Sequence, residues 1–63
     1  MNRIKQLRTE KNIGQDQLAD YLGVSRQTIS HYERGDREPK LENWRKLTDY
    51  FGVKFEYLVG WED

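Results

Sequence analysis

The chain has 63 residues, no cysteine and a single histidine. It can form one domain at most, and neither a disulfide nor a zinc site of its own can hold that domain together. Eleven basic and eleven acidic side chains cancel, which removes the basic excess that usually marks a general nucleic-acid binder, and the opening MNRIKQLRTEK has no apolar run suited to a signal peptide or a membrane span.

The first amphipathic helix is expected over about Asn2 to Lys11, with Ile4 and Leu7 inward, and it breaks at Asn12-Ile13-Gly14. A second helix fits Gln15 to Leu22, where Leu18, Ala19 and Leu22 share a face. Gly23 supplies the left-handed conformation that ends a helix tightly. Ser25 can cap a third helix that runs to Arg34 and stops at Gly35. Asp36 to Lys40 is a charged loop with the only proline, Pro39. A fourth helix should place Leu41, Trp44, Leu47, Thr48 and Phe51 inward and end at Gly52. Phe55 and Leu58 predict a short fifth helix ending at Gly60. No strand alternation or repeat competes. The expected fold is therefore all-α, five short helices around one core.

Charge is unevenly spread. Residues 1–40 carry eight lysines and arginines against six carboxylates, and residues 41–63 carry three against five. Local positive charge can still grip phosphates, with modest non-specific affinity. The absence of cysteine fits a reducing, cytoplasmic setting.

The third helix is the informative one. At about 100° per residue, Arg26, Gln27, Ser30, His31 and Arg34 fall within one arc of about 140°. Thr28, Ile29 and Tyr32 lie opposite, and Glu33 sits at the boundary. No carboxylate interrupts the outer arc, whereas solvated helix faces usually mix signs to form i,i+4 pairs. Its guanidinium and carboxamide groups match base edges: arginine can bond guanine in two places and glutamine adenine in two. Taken by itself the arc reads equally well as an exposed polar face. Its position after the second helix shifts the balance, because a small residue at Ala19 lets two helices cross closely around a short turn, as in a helix-turn-helix.

QDQLADYLGVSRQTISHYERG resembles the helix-turn-helix of the Xre family, the Cro and phage-repressor type. The resemblance extends from RIKQLR through EPKLENWRKLTDYFGV to EYLVG. Gln15, Leu18, Ala19, Gly23, Val24, Ser25, Ile29 and the ERG at 33–35 stand at the family's spacing. It implies a repressor-type five-helix bundle over residues 1–63, with the helix-turn-helix at about 15–34 and the third helix in the major groove. By the same resemblance, Arg26 and Gln27 would contact bases first, with Ser30 and His31 one turn later. Gln15 would bond a phosphate at the start of the second helix. Arg34, Arg37 and Lys40 are further candidate phosphate contacts, although a solvated loop would look the same at the last two. Arg8 and Glu33 would form a partly buried ion pair. Two positions depart from the pattern: Gly14 stands where serine or threonine is common, and Lys40 where a capping serine often stands.

Asp16 and Asp20 form an i,i+4 carboxylate pair, but no nucleophile, metal cluster or phosphate loop accompanies them. Asp16 is better explained as an anion near a helix N-terminus, and no enzyme activity, metal or cofactor is expected. The expected partner is a double-stranded operator with two-fold symmetry, bound by a homodimer, with Tyr57 and Trp61 as its candidate surface. The expected function is sequence-specific transcriptional regulation, most simply repression. An antitoxin-like module working with a protein partner is the alternative. The chain fits both a complete small regulator and the N-terminal domain of a longer one.

Overall fold

The computed structural model describes residues 1–63. Five helices follow in order: α1 (Ile4–Glu10), α2 (Gln15–Leu22), α3 (Arg26–Arg34), α4 (Leu41–Phe51) and α5 (Phe55–Leu58). Each contributes its apolar stripe to one core. Ile4 and Leu7 come from α1, Leu18, Ala19 and Leu22 from α2, and Ile29 and Tyr32 from α3. Trp44, Leu47 and Phe51 come from α4 and Leu58 from α5. No cavity-prone polar group is trapped among them: every buried side-chain nitrogen and oxygen has a hydrogen-bond partner.

The helix-turn-helix is bounded by local chemistry. Gly23, at φ 73°, adopts the left-handed conformation at the end of α2, which costs glycine no Cβ clash. Its N–H and that of Val24 both donate to the Ala19 carbonyl, at 2.8 and 3.0 Å. Two residues later Ser25 Oγ accepts the Thr28 N–H at 3.1 Å and caps α3. The turn is thus closed from both sides within Gly23-Val24-Ser25. At the other end of α2, Gly14 has no side chain to offer. Gln17 Oε1 accepts the Gly14 N–H at 3.1 Å, which makes half of a capping box.

Three expectations from the sequence are corrected. Helix α1 begins at Ile4 rather than Asn2, because Asn2 serves as a tether. Its Oδ1 accepts the Ile4 N–H at 3.1 Å, and its Nδ2 donates to the Tyr32 carbonyl at 2.8 Å. Leu41 is 72% exposed instead of inward; it starts α4, before the first turn that reaches the core at Trp44. Thr48 is only half-buried, and its hydroxyl donates to the Arg45 carbonyl within the same helix.

The N-terminus is also held to α5. Arg3 N–H donates to the Leu58 carbonyl at 2.8 Å, and its guanidinium bonds the Tyr57 carbonyl and stacks 4.2 Å from the Tyr57 ring centroid. This ties the start of the chain to α5.

Candidate nucleic-acid interface

Helix α3 is split as sharply in the fold as on the helical wheel. Ile29 is fully buried and Tyr32 is 4% exposed. Arg26, Gln27 and Arg34 are exposed, and Ser30 and His31 are half-buried. Arg26 and Gln27 occupy the first two positions of the helix, directly after the capped turn, and both are exposed, with 70% of the Arg26 side chain open to solvent.

A hydrogen-bonded chain runs from this face into the bundle. Gln15, the first residue of α2, donates through Nε2 to Ser30 Oγ at 3.1 Å and to Glu33 Oε1 at 3.0 Å. Arg26 Nε approaches Gln15 Oε1 at 3.4 Å. Glu33 accepts from Arg8, Nε to Oε2 at 2.6 Å and Nη2 to Oε1 at 3.4 Å. Arg8 in turn donates through Nη1 to the Ile13 carbonyl at 2.9 Å. One glutamate therefore joins α1, α2 and α3, and Gln15 fixes the position of Ser30. Gln15 is half-buried and its amide already serves two acceptors, so it sits at the rim of the face with its geometry set in advance.

Arg37 and Lys40 are exposed in the loop between α3 and α4. Lys40 is the residue before α4 and makes no side-chain cap. Tyr57 and Trp61 are not on the outer arc of α3, although Trp61 lines a surface depression with Gly35 and Arg37 just past the end of that helix. Tyr57 is half-buried beneath the Arg3 guanidinium. Trp61 is 73% exposed and meets Phe55 edge-on at 5.5 Å between centroids.

Sequence reasoning missed two carboxylates that lie against the outer face of α3. Asp36 Oδ2 accepts from Arg34 Nε at 2.9 Å and lies 3.4 Å from His31 Nδ1. Asp16 Oδ1 lies 3.8 Å from Arg26 Nε. The outer arc of α3 itself has no acid, but the surface it belongs to does. The wheel stopped at Arg34, whereas Gly35 (φ 81°) turns the chain back so that Asp36 returns to the last turn of α3. The signal was the left-handed glycine followed at once by an acid.

Two helices joined by a three-residue capped turn, the second anchored on one side and presenting cations and amides on the other, define the helix-turn-helix regulators. The chain belongs to this family in its Xre/Cro form: the helix-turn-helix family model matches residues 4–58. A helix-turn-helix-type transcriptional regulator of Methanocaldococcus jannaschii is 44% identical over 98% of this chain and 94% of its own length. The cryptic phage CTXphi transcriptional repressor RstR of Vibrio cholerae is 38% identical over 92% of this chain and 52% of its own. The crystal structure of a transcriptional regulator from Listeria innocua superposes with a TM-score of 0.86 at 29% identity, over 94% of this chain and 55% of that one. The chain thus spans about half the length of the phage repressor and of the Listeria protein. The family is one of regulators and not of enzymes. No helix is long and apolar enough to cross a membrane.

Proposed function

We propose that this chain is a sequence-specific double-stranded DNA-binding transcriptional regulator that acts as a repressor by occupying a palindromic operator as a homodimer. The observation that carries the reading is the exposure of Arg26 and Gln27 at the start of a helix whose other side is locked into the core. Inserted in a major groove, α3 brings these two side chains to base edges first, with Ser30 and His31 following one turn later. Gln15, Arg34, Arg37 and Lys40 flank that helix and contact phosphates, setting register without reading sequence.

Size favours two copies. The longest dimension of the bundle is 28 Å, while successive half-sites on one face of DNA lie about 34–36 Å apart. One copy reaches one major groove. The contact between copies is assigned to the surface that carries Trp61 and Tyr57, off the outer arc of α3; Trp61 is the more available of the two, since Arg3 already covers the Tyr57 ring. One relative is named a phage transcriptional repressor and another a transcriptional activator; the reading follows the repressor, of which this chain covers the larger share, 52% against 30%.

In vitro selection of bound duplexes tests the reading directly, giving site, symmetry and spacing together. Arg26→Ala and Gln27→Ala should each lose about 1–3 kcal/mol on the selected site and relax preference at particular base pairs. Full retention of sequence preference by both variants would refute the assignment. A monomer in sedimentation on the selected duplex would remove the dimer.

A further inference from the structure

Both arginines on the outer face of α3 carry a counter-ion from outside the helix, and the pair at Arg34 is the tighter. Asp36 Oδ2 takes the Arg34 Nε–H at 2.9 Å, while Arg26 Nε and Asp16 Oδ1 stand 3.8 Å apart. Asp36 also faces His31, with Oδ2 3.4 Å from Nδ1, and Arg34 Nη2 reaches the same Nδ1 at 3.0 Å. Three groups at the end of the recognition helix are therefore tied together by one carboxylate. All three remain open to solvent, with side chains between 44% and 57% exposed. Such a pair contributes little to folding, so its placement on the groove face calls for another account.

A carboxylate and a phosphate diester offer the same thing to a guanidinium: anionic oxygens that accept charge-assisted hydrogen bonds. We propose that Asp36 is a specificity-determining residue, an internal substitute for DNA phosphate that occupies Arg34 and His31, competes with the phosphates of random DNA for them, and keeps the two side chains in a fixed arrangement when a matched duplex is bound. The inference rests on the DNA-binding reading of α3 given above. On random DNA the attraction is almost wholly phosphate charge. There Asp36 cancels one cation and brings a negative charge toward the duplex, so it weakens binding. On a matched site it also holds Arg34 toward the backbone and His31 toward the bases in one arrangement, which offsets the repulsion. The net effect is a larger ratio of matched to random affinity rather than tighter binding. The Arg34 guanidinium, and then His31, hold the Asp36 carboxyl below the usual aspartate range, so the carboxylate is charged wherever the protein works.

Asp36→Asn tests this without disturbing the fold. The Asp36 backbone N–H, which donates to the His31 carbonyl at 3.1 Å and helps close α3, is unchanged by the substitution. With random-sequence duplexes, the slope of log affinity against log salt should steepen by about 0.9, the value for one more neutralised phosphate, and affinity at low salt should rise about three- to tenfold. On the selected duplex the gain should be smaller, so the matched-to-random ratio falls. Adding Arg34→Gln to Asp36→Asn should return the slope on random DNA to the parent value. An unchanged slope in Asp36→Asn overturns the proposal. So does a loss on the selected duplex with no gain on random DNA, which would make Asp36 a direct base contact. If the parent protein binds no duplex in a salt-dependent way, the DNA reading itself falls, and this inference falls with it.

Discussion

Arg8 Nε donates to Glu33 Oε2 at 2.6 Å, and the two side chains keep only 12% and 5% of their exposure. The pair spans twenty-five positions in the chain and lies where α1, α2 and α3 meet. Its spare capacity is used: Arg8 also serves the Ile13 carbonyl and Glu33 also serves Gln15. Two withdrawn charges with every partner filled make an arrangement that tolerates the loss of both members better than the loss of one.

Arg8→Ala alone should therefore cost about 3–5 kcal/mol, because Glu33 is left buried without its cation. A domain of this size has only about 3–9 kcal/mol of total stability, so the single variant should be partly unfolded at ambient temperature. Pairing Arg8→Met with Glu33→Leu should recover most of the loss. Urea melts of the three proteins decide the matter: an Arg8→Ala protein that melts like its parent would show the pair to be dispensable.

Ala19 predicts a different failure. It is 4% exposed on α2, the helix that packs most extensively on α3. Its carbonyl also receives the two N–H groups that close the turn. Ala19→Leu forces a larger side chain into a filled core and should cost about 1–3 kcal/mol. It should also tilt α3 against α2 and lower affinity for the selected duplex beyond what partial unfolding explains. Thermal melts and binding measured well below the melting point separate the two effects. Parental stability in this variant would mean that the small side chain is not what lets α2 and α3 pack.

The borders of α2 and α3 were legible because both are punctuated by residues with a single local role, Gly23, Ser25 and Gly35. The split of α3 into an Ile29–Tyr32 side and an Arg26–Gln27 side was legible because helical periodicity alone fixes it. Leu41 was misjudged for the converse reason. Periodicity puts it in phase with Trp44, but only the contact with another element buries a residue, and Leu41 itself stays 72% exposed at the start of α4. The Asp36–His31–Arg34 cluster and the Arg3–Tyr57 stack lay outside helical periodicity, and only the Gly35-Asp36 pair hinted at the first. The first depends on a chain reversal past the helix end, and the second joins residues fifty-four positions apart.

Glycines at two ends of the fold should respond in opposite directions. Gly60 has φ 89°, and a Cβ built on it would overlap the Met1 carbonyl. Gly60→Ala combines a strained backbone with the displacement of the N-terminal strand of chain from α5, and should cost about 1–3 kcal/mol. Gly14 precedes α2 at φ −76° with open space around it. Gly14→Ser supplies the missing oxygen of the capping box and should add a few tenths of a kcal/mol, on the order of 0.3. Denaturant midpoints for the two variants should move apart. A neutral Gly60→Ala would mean that the contact between the chain ends is not held in solution.

Asp36 gives the fold a small dependence on pH. Its carboxyl lies below the ordinary value of 3.8, chiefly because Arg34 hydrogen-bonds it and secondly because His31 does. A carboxyl whose proton is held more weakly in the folded state than in the unfolded one stabilises the fold when ionised. That contribution is complete above the unfolded value near 3.8. It fades as pH falls through the lower, folded value, where both states become protonated. The side chain is about half exposed, at 53%, and solvent screening keeps the effect on melting slight, so the sharper readout is the carboxyl itself. Side-chain carbon chemical shifts followed through an acid titration should place its midpoint below that of a free aspartate. In Arg34→Gln the midpoint should move back toward the ordinary value, and His31→Gln should move it less. An Asp36 midpoint that ignores Arg34→Gln would show that the 2.9 Å contact does not persist in solution, and with it would go the pairing on which the discrimination argument stands.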